Sequence, residues 1–208
     1  MNIVVVLFDG VTALDAVGPY EVLTRLPGAS VVFAATEPGV KRTDHGLGLT
    51  ADVALREVPA PEVLLVPGGP GQVAAMDDVE LRDWLRAADA TSTWTTSVCT
   101  GSLLLAGAGL LTGKRATSHW LALDELARLG AVAVAERVVV DGRHVTSAGV
   151  SAGIDMALEL AGRMHGALVA QAVQLSLEYD PAPPYDAGSP QKAPAEVVEL
   201  VRSRSPRR

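Results

Sequence analysis

The chain contains a single cysteine, Cys99, and it lies in a segment built for reactivity, Ser97-Val98-Cys99-Thr100-Gly101. An apolar run leads into it, and an apolar helical pattern, Ser102 to Ala108, begins at once after it. That is the layout of a nucleophile elbow, where a sharp strand-to-helix turn lifts one side chain out of a sheet. The hydrolase form reads G-x-S-x-G; here Ser97 stands for the first glycine, so the match is partial. A helix head beside the sulfur supplies free N–H groups and positive dipole, which favours thiolate. A lone cysteine without such flanks reads as a small buried hydrophobe. The strand before and the helix after shift the reading to a nucleophile. Its proton-handling partner would be Asp15, in Thr12-Ala13-Leu14-Asp15, at a neighbouring strand end. Burial and the like charge of a thiolate would raise the pKa of that carboxyl and make it a proton donor. The same four residues equally fit a capping box, with a hydroxyl cap and an acid three residues on.

In open α/β sheets, ligands collect at the carboxyl ends of strands. Four segments belong there: Asp9 to Asp15, Pro67 to Gly71, Ser97 to Gly101, and Ser147 to Ser151. Gly68 and Gly69 are expected to present N–H groups to an anion forming on the substrate, as an oxyanion hole; a plain tight turn is the alternative. Gly69 to Ala74 also matches G-x-G-x-x-A, the dinucleotide fingerprint. It lies in the wrong βα turn, however, and its prolines remove N–H donors, so no nucleotide is expected. The four histidines, His45, His119, His144 and His165, lie far apart without metal-ligand spacing. No metal and no cofactor are therefore expected. His119, followed by Trp120 at a helix start, is a pocket-lining candidate. His144 reads as an exposed hairpin residue and His165 as a helix break.

The elements that must position these residues alternate. Strands are expected over Asn2 to Phe8, Ser30 to Ala35, Val63 to Val66 and Ser92 to Val98, with a hairpin excursion from Lys41 to Val53 around His45-Gly46. Helices are expected over Asp15 to Leu26, Val79 to Ala88, Ser102 to Ala108 and His119 to Leu129. Val132 to Val140 and Arg143 to Thr146 flank the hairpin turn Asp141-Gly142. Ser151 to Tyr179 reads as helix, broken near His165-Gly166. This order predicts an α/β fold whose mainly parallel sheet is sandwiched by helices. From Asp180 the composition turns to Pro, Ala and Ser. The expected organisation is thus a domain over 1–180 and an extension over 181–208, with one short helix, Ala195 to Arg202, and a basic, solvated ending RSRSPRR.

With 208 residues, of which 49% are hydrophobic, one domain with a tail can bury a substantial core. A net charge of -7 disfavours nucleic acid as a partner. The N-terminal MNIVVVLFDG is too short for a leader or a membrane span. One cysteine makes no internal disulfide, in keeping with a reducing compartment. A cytoplasmic protein with no membrane partner is the expectation.

The elbow Ser97 to Ser102, the segment Gly113-Lys114-Arg115-Ala116-Thr117-Ser118-His119-Trp120 and the turn Pro67 to Gly71 resemble the ThiJ/PfpI superfamily, which has the class I glutamine amidotransferase-like fold. The resemblance runs from about Asn2 to Asp180. Within it, Asp15 in Leu14-Asp15-Ala16-Val17-Gly18-Pro19, Thr100 after the nucleophile, and the ending Glu178-Tyr179-Asp180-Pro181 resemble the isonitrile hydratases. The likeness implies a homodimeric flavodoxin-like sandwich that hydrates a small-molecule isonitrile to an N-substituted formamide. It implies Cys99 as nucleophile, Asp15 as acid and then base, Thr100 as the residue orienting them, and Gly68, Gly69 and Pro70 shaping the pocket. Gly149, in Ser147-Ala148-Gly149-Val150, would approach the same site, in a region that the family links to mobility of the nucleophile helix.

Other branches fit less well. No histidine is followed two places later by Glu, as a glutamine amidotransferase triad needs. The protease branch carries Cys-His where this chain has Cys99-Thr100. A glyoxalase or deglycase remains open, although its acid is usually Glu. A transcriptional regulator would need an appended helix-turn-helix module of roughly 100 residues. A stand-alone redox-sensing or ligand-binding protein also remains open, since fold alone does not fix function.

Overall fold

Runs of Val, Ile and Leu too short for a helix become the central strands of a parallel sheet, where both faces are covered. The computed structural model describes residues 1–204. In chain order it contains β1 (Asn2–Val6), α1 (Ala13–Leu23), β2 (Ser30–Ala35), the hairpin β3 (Gly39–Arg42) and β4 (Gly48–Ala51), then β5 (Val53–Ala54) and β6 (Val63–Val66). Next come α2 (Gln72–Asp77), α3 (Val79–Thr91), β7 (Trp94–Val98), α4 (Gly101–Gly107), β8 (Arg115–Ala116) and α5 (Leu123–Arg128). The remainder is β9 (Val132–Ala133), β10 (Val138–Asp141), β11 (His144–Ser147), α6 (Ala152–His165), α7 (Ala167–Ser176) and α8 (Ala195–Arg204).

Seven strands form one sheet in the order β10-β11-β7-β6-β1-β2-β5. Every neighbouring pair is parallel except β10 with β11. The expected mainly parallel α/β sandwich is therefore the observed one. Strand residues alternate between its faces. Ile3 and Val63 pack with Val22 and Leu23 of α1 and Ala157, Leu160 and Ala161 of α6. Val4 and Leu64 pack with Trp84 and Leu85 of α3 and Leu103 of α4. Leu64, Leu85 and Leu103 are fully buried, and each such side chain contributes about 2 kcal/mol of transfer free energy.

Several boundaries differ from expectation for identifiable reasons. The stretch Gln72-Val73-Ala74-Ala75-Met76-Asp77 before α3, with good helix formers Ala, Met and Gln, forms the extra helix α2. The expected helix from His119 opens as a 3-10 turn, Trp120–Ala122, and becomes α-helical only in α5. Val132–Ala133 pairs with β8 and not with β11, so the long hairpin arm shortens to β10. His144 is the clearest correction. It is only 4% exposed, and its Nε2 lies 3.0 Å from Asp89 Oδ1. The turn at Asp141-Gly142 does form a hairpin, but β11 also pairs with β7, and that interior position covers the ring. Burial lowers the pKa of this imidazole. Helix α6 ends at His165, where Gly166 takes φ +84° before α7 begins.

The chain divides into two units, Met1–Leu177 and the segment from Glu178 onward. In the second, α8 runs two residues beyond the expected helix and buries none of its side chains. Of the basic ending, residues 205–208 lie outside the described residues. Among the described residues no helix is long and apolar enough to cross a membrane.

Because β11, β7, β6 and β1 are consecutive in the sheet, the loops at their carboxyl ends converge. The β1 and β6 loops touch backbone to backbone. Thr12 N–H donates to Gly68 O at 2.8 Å, and Gly71 N–H donates to Gly10 O at 3.0 Å. A Cβ on Gly71 would stand 1.8 Å from Asp9 O. The glycine spacing that imitates a dinucleotide fingerprint thus serves loop-on-loop packing. Gly71→Ala is expected to cost about 3 kcal/mol or more in urea unfolding; a loss under about 1 kcal/mol would mean the loops yield freely.

Candidate active site

β7 delivers Cys99 to a turn with φ +55°, the left-handed region that non-glycine residues rarely enter. The turn is fixed from both sides. Cys99 N–H donates to Ser147 O and Ala148 O at 3.0 and 2.9 Å. Its carbonyl accepts Ser102 Oγ at 3.1 Å and Ser118 Oγ at 3.0 Å. A Cβ on Gly101 would lie 2.0 Å from Val66 O, so the glycine two places after the cysteine is demanded by the neighbouring strand.

Asp15 is completely buried and Cys99 nearly so, at 0% and 5% exposure. Asp15 Oδ2 accepts Gly68 N–H at 2.9 Å, while Oδ1 has no hydrogen-bond partner in the protein. The capping-box alternative is not what forms. Thr12 is the cap residue of α1, yet its hydroxyl makes no cap bond and donates instead to Asp44 Oδ2 at 3.0 Å. The carboxyl is thereby turned inward to the Gly68 loop.

Burial is the largest influence on both groups. It pushes Asp15 up to about 7, opposed by the Gly68 N–H and the Cys99 thiol and assisted by the charge of Asp44. It pushes Cys99 up to about 12; the charge of Asp15 adds to this, and the N–H groups of Val150 and Thr100 on the sulfur oppose it. The expectation that a helix head favours thiolate is corrected here, because desolvation outweighs those donors. Two adjacent groups that each resist ionisation do not readily carry two negative charges at once, and once the pair has lost one proton the other can sit on either group. The site can hold thiol with carboxylate, or thiolate with carboxylic acid.

The Thr100 side chain addresses the loop, while its backbone N–H acts on the sulfur. Its Oγ1 accepts Gly69 N–H at 2.9 Å. Both N–H groups expected to form an oxyanion hole are therefore used inside the protein, Gly68 on Asp15 and Gly69 on Thr100. They set the site instead of receiving an anion. Pro70 is exposed beside them. A Cβ on Gly68 would fall 2.6 Å from Thr100 Oγ1, so this contact needs glycine. Thr100→Val is expected to strand the buried Gly69 N–H and cost about 1–3 kcal/mol in chemical denaturation, with Thr100→Ser restoring most of it. Equal stability of the Val and Ser variants would contradict that role.

His119 and Trp120 lie half-buried with their rings 5.9 Å apart. A Cβ on Gly149 would meet His119 Cδ2 at 2.9 Å, so the glycine lets the histidine close in next to the Val150 backbone. Asp15 and two backbone N–H groups act on the Cys99 sulfur. Val150 and Ser118 were not legible as site residues. Val150 works through its backbone, held at φ +20°, which no side chain announces. Ser118 could have been suspected only from its place two residues before Trp120. Among the described residues, no three His, Cys, Asp or Glu side chains gather as a metal site.

Known proteins resemble this chain throughout. The isonitrile hydratase of Pseudomonas putida is 46% identical over 199 residues, 96% of this chain and 87% of that protein. The HTH-type transcriptional regulator CdhR of Pseudomonas aeruginosa is 33% identical over 147 residues, 70% of this chain but only 43% of the regulator. A ThiJ/PfpI family protein of known structure from Pseudomonas syringae superposes with a TM-score of 0.93 at 38% identity, covering 97% of this chain and 86% of that one. The DJ-1/PfpI family model matches residues 1–163, which include β1, the elbow and β11 with the loops they carry. With that match the chain belongs to the DJ-1/PfpI family.

Proposed function

We propose that this protein hydrates isonitriles, converting R–N≡C and water to the formamide R–NH–CHO. The observation that carries the reading is the buried Asp15–Cys99 pair, a carboxyl and a thiol that act on each other and that burial holds against ionisation. Isonitrile carbon accepts a nucleophile only if it also gains a proton, and this pair supplies both. The thiolate form of Cys99 adds to the terminal carbon while Asp15 gives that carbon its proton, leaving the thioimidate R–N=CH–S–Cys99 and a carboxylate. Asp15 then draws a proton from water as the oxygen attacks the same carbon and passes it to the nitrogen, which becomes N–H and leaves Asp15 a carboxylate again. When the C–S bond breaks, the hydroxyl proton of the intermediate returns to Asp15 and the formamide leaves. Asp15 Oδ1, buried and without a protein partner, is the oxygen left for these transfers. The N–H groups of Val150 and Thr100 steady the sulfur whenever it carries charge.

The full-length match to a hydratase supports this reading over a regulator, whose match covers less than half of its own length. The experiment is direct. Purified protein with an aliphatic or aryl isonitrile should yield the N-substituted formamide, seen as a formyl proton by NMR, and unchanged isonitrile would refute the proposal. The single free thiol fits a cytoplasmic setting, and the charge of -7 fits a protein without a nucleic-acid partner. A homodimer agrees with the apolar stripe that α7 exposes through Leu168 and Leu175, 81% and 78% accessible; light scattering at one subunit mass would count against it.

A further inference from the structure

The turn between β3 and β4 reaches back over the loop that carries the acid. Gly10 N–H donates to Arg42 O at 2.7 Å, Arg42 N–H to Asp9 Oδ1 at 2.8 Å, and Asp44 N–H to Val11 O at 3.1 Å. Val11 and Thr43 form an isolated β-bridge. These bonds seat the Asp44 side chain, 17% exposed, against the head of α1. There it takes the Thr12 hydroxyl, the group that would otherwise cap the helix. A carboxylate near a helix head usually serves as a cap or binds a cation. Asp44 accepts instead from the neutral Thr12 hydroxyl, and its ion-pair contact, His45, is 94% exposed with Nε2 4.0 Å away.

We propose that Asp44 is a positioning residue for Asp15: seated on the Thr12 hydroxyl at the head of α1, it pins the loop that presents the acid and fixes a negative charge beside it. The inference rests on Asp15 acting as the proton donor. The titratable groups acting on Asp15 are Cys99 from the elbow and Asp44 from the hairpin. Arg42 turns its guanidinium to Gly46 O, at 3.2 Å, and Asp155 on α6 pairs with Arg137. Asp44 is therefore the fixed charge that can be removed without touching the reacting pair. Because it stands near solvent, its field is open to screening by salt.

The test reads Asp15 itself, without substrate, by carboxyl carbon-13 NMR titration of the whole chain. In Asp44→Asn, which keeps an oxygen for Thr12, the Asp15 midpoint should fall by roughly half a pH unit, the size expected for one partly solvated charge at this range. Asp44→Glu should restore it. Raising salt to about 1 M should lower the midpoint in the unaltered protein and leave Asp44→Asn unmoved. A midpoint unchanged in Asp44→Asn, or an equal salt response in both, overturns the proposal. The hydration rate should then lose about threefold on the alkaline side in Asp44→Asn, with little change on the acid side. If the protein hydrates no isonitrile, the titration still decides the role of Asp44, so the two failures are distinguishable.

Discussion

Asp15→Asn is expected to lower turnover by about 10²–10⁴-fold, the contribution typical of one positioned acid-base group, and at the same time to stabilise the fold. The second effect follows from the direction of the shift. The carboxyl rises from 3.8 to about 7 on folding. Below about pH 4 it is protonated in both states and costs nothing. Between about 4 and 7 the unfolded chain ionises first, so stability drains away as pH rises, by at most about 4 kcal/mol, and the loss is complete above the folded value. Asparagine does not titrate and can still accept the Gly68 N–H. Urea unfolding at pH 5 and pH 8 should show the gap between variant and wild type widening at pH 8. A gap that stays constant, or narrows, would mean that Asp15 is not held against its own ionisation.

Cys99→Ala and Cys99→Ser are each expected to lose at least about 10⁴-fold in kcat/KM, because each removes the sulfur that takes up the isonitrile carbon. Serine does not rescue. The environment that pushes a thiol up to about 12 disfavours an alkoxide even more strongly. Both variants should fold, since the elbow is held by backbone bonds and by Ser102 and Ser118 on the Cys99 carbonyl. The free energy of their unfolding should lie within about 2 kcal/mol of wild type. A folded Cys99→Ser protein with wild-type turnover would remove covalent catalysis from the account.

Much of this was written in the chain as short-range pattern. Ser30–Ala35 and Val63–Val66 could be read to the residue, because each is a mainly apolar run closed by turn residues, half-buried along most of β2 and fully buried in β6. Cys99 was legible for the same reason: strand, reactive residue and helix follow one another without a gap. What could not be read came from the meeting of distant segments. His144 looked like one arm of a hairpin, and only the pairing of β11 with β7 hides it. Gly68 and Gly69 looked like free N–H donors, and only Asp15 and Thr100, arriving from other loops, use them. The helix head predicted an easily ionised thiol, but that local signal says nothing about desolvation, which is set by everything packed around the sulfur. Asp44 sits in a turn with no motif of its own and becomes relevant through its bond to Thr12.

The central claim is that Cys99 sulfur becomes covalently joined to the isonitrile carbon while Asp15 handles the proton. Mass spectrometry of protein quenched by acid during turnover measures this most directly, in the Asp15→Asn variant as well as wild type. The expected result is a peptide containing Cys99 that is heavier by the mass of the isonitrile in wild type, and little or none of it in Asp15→Asn, where the carbon cannot be protonated. Formamide forming at the wild-type rate with Cys99 never modified would contradict it.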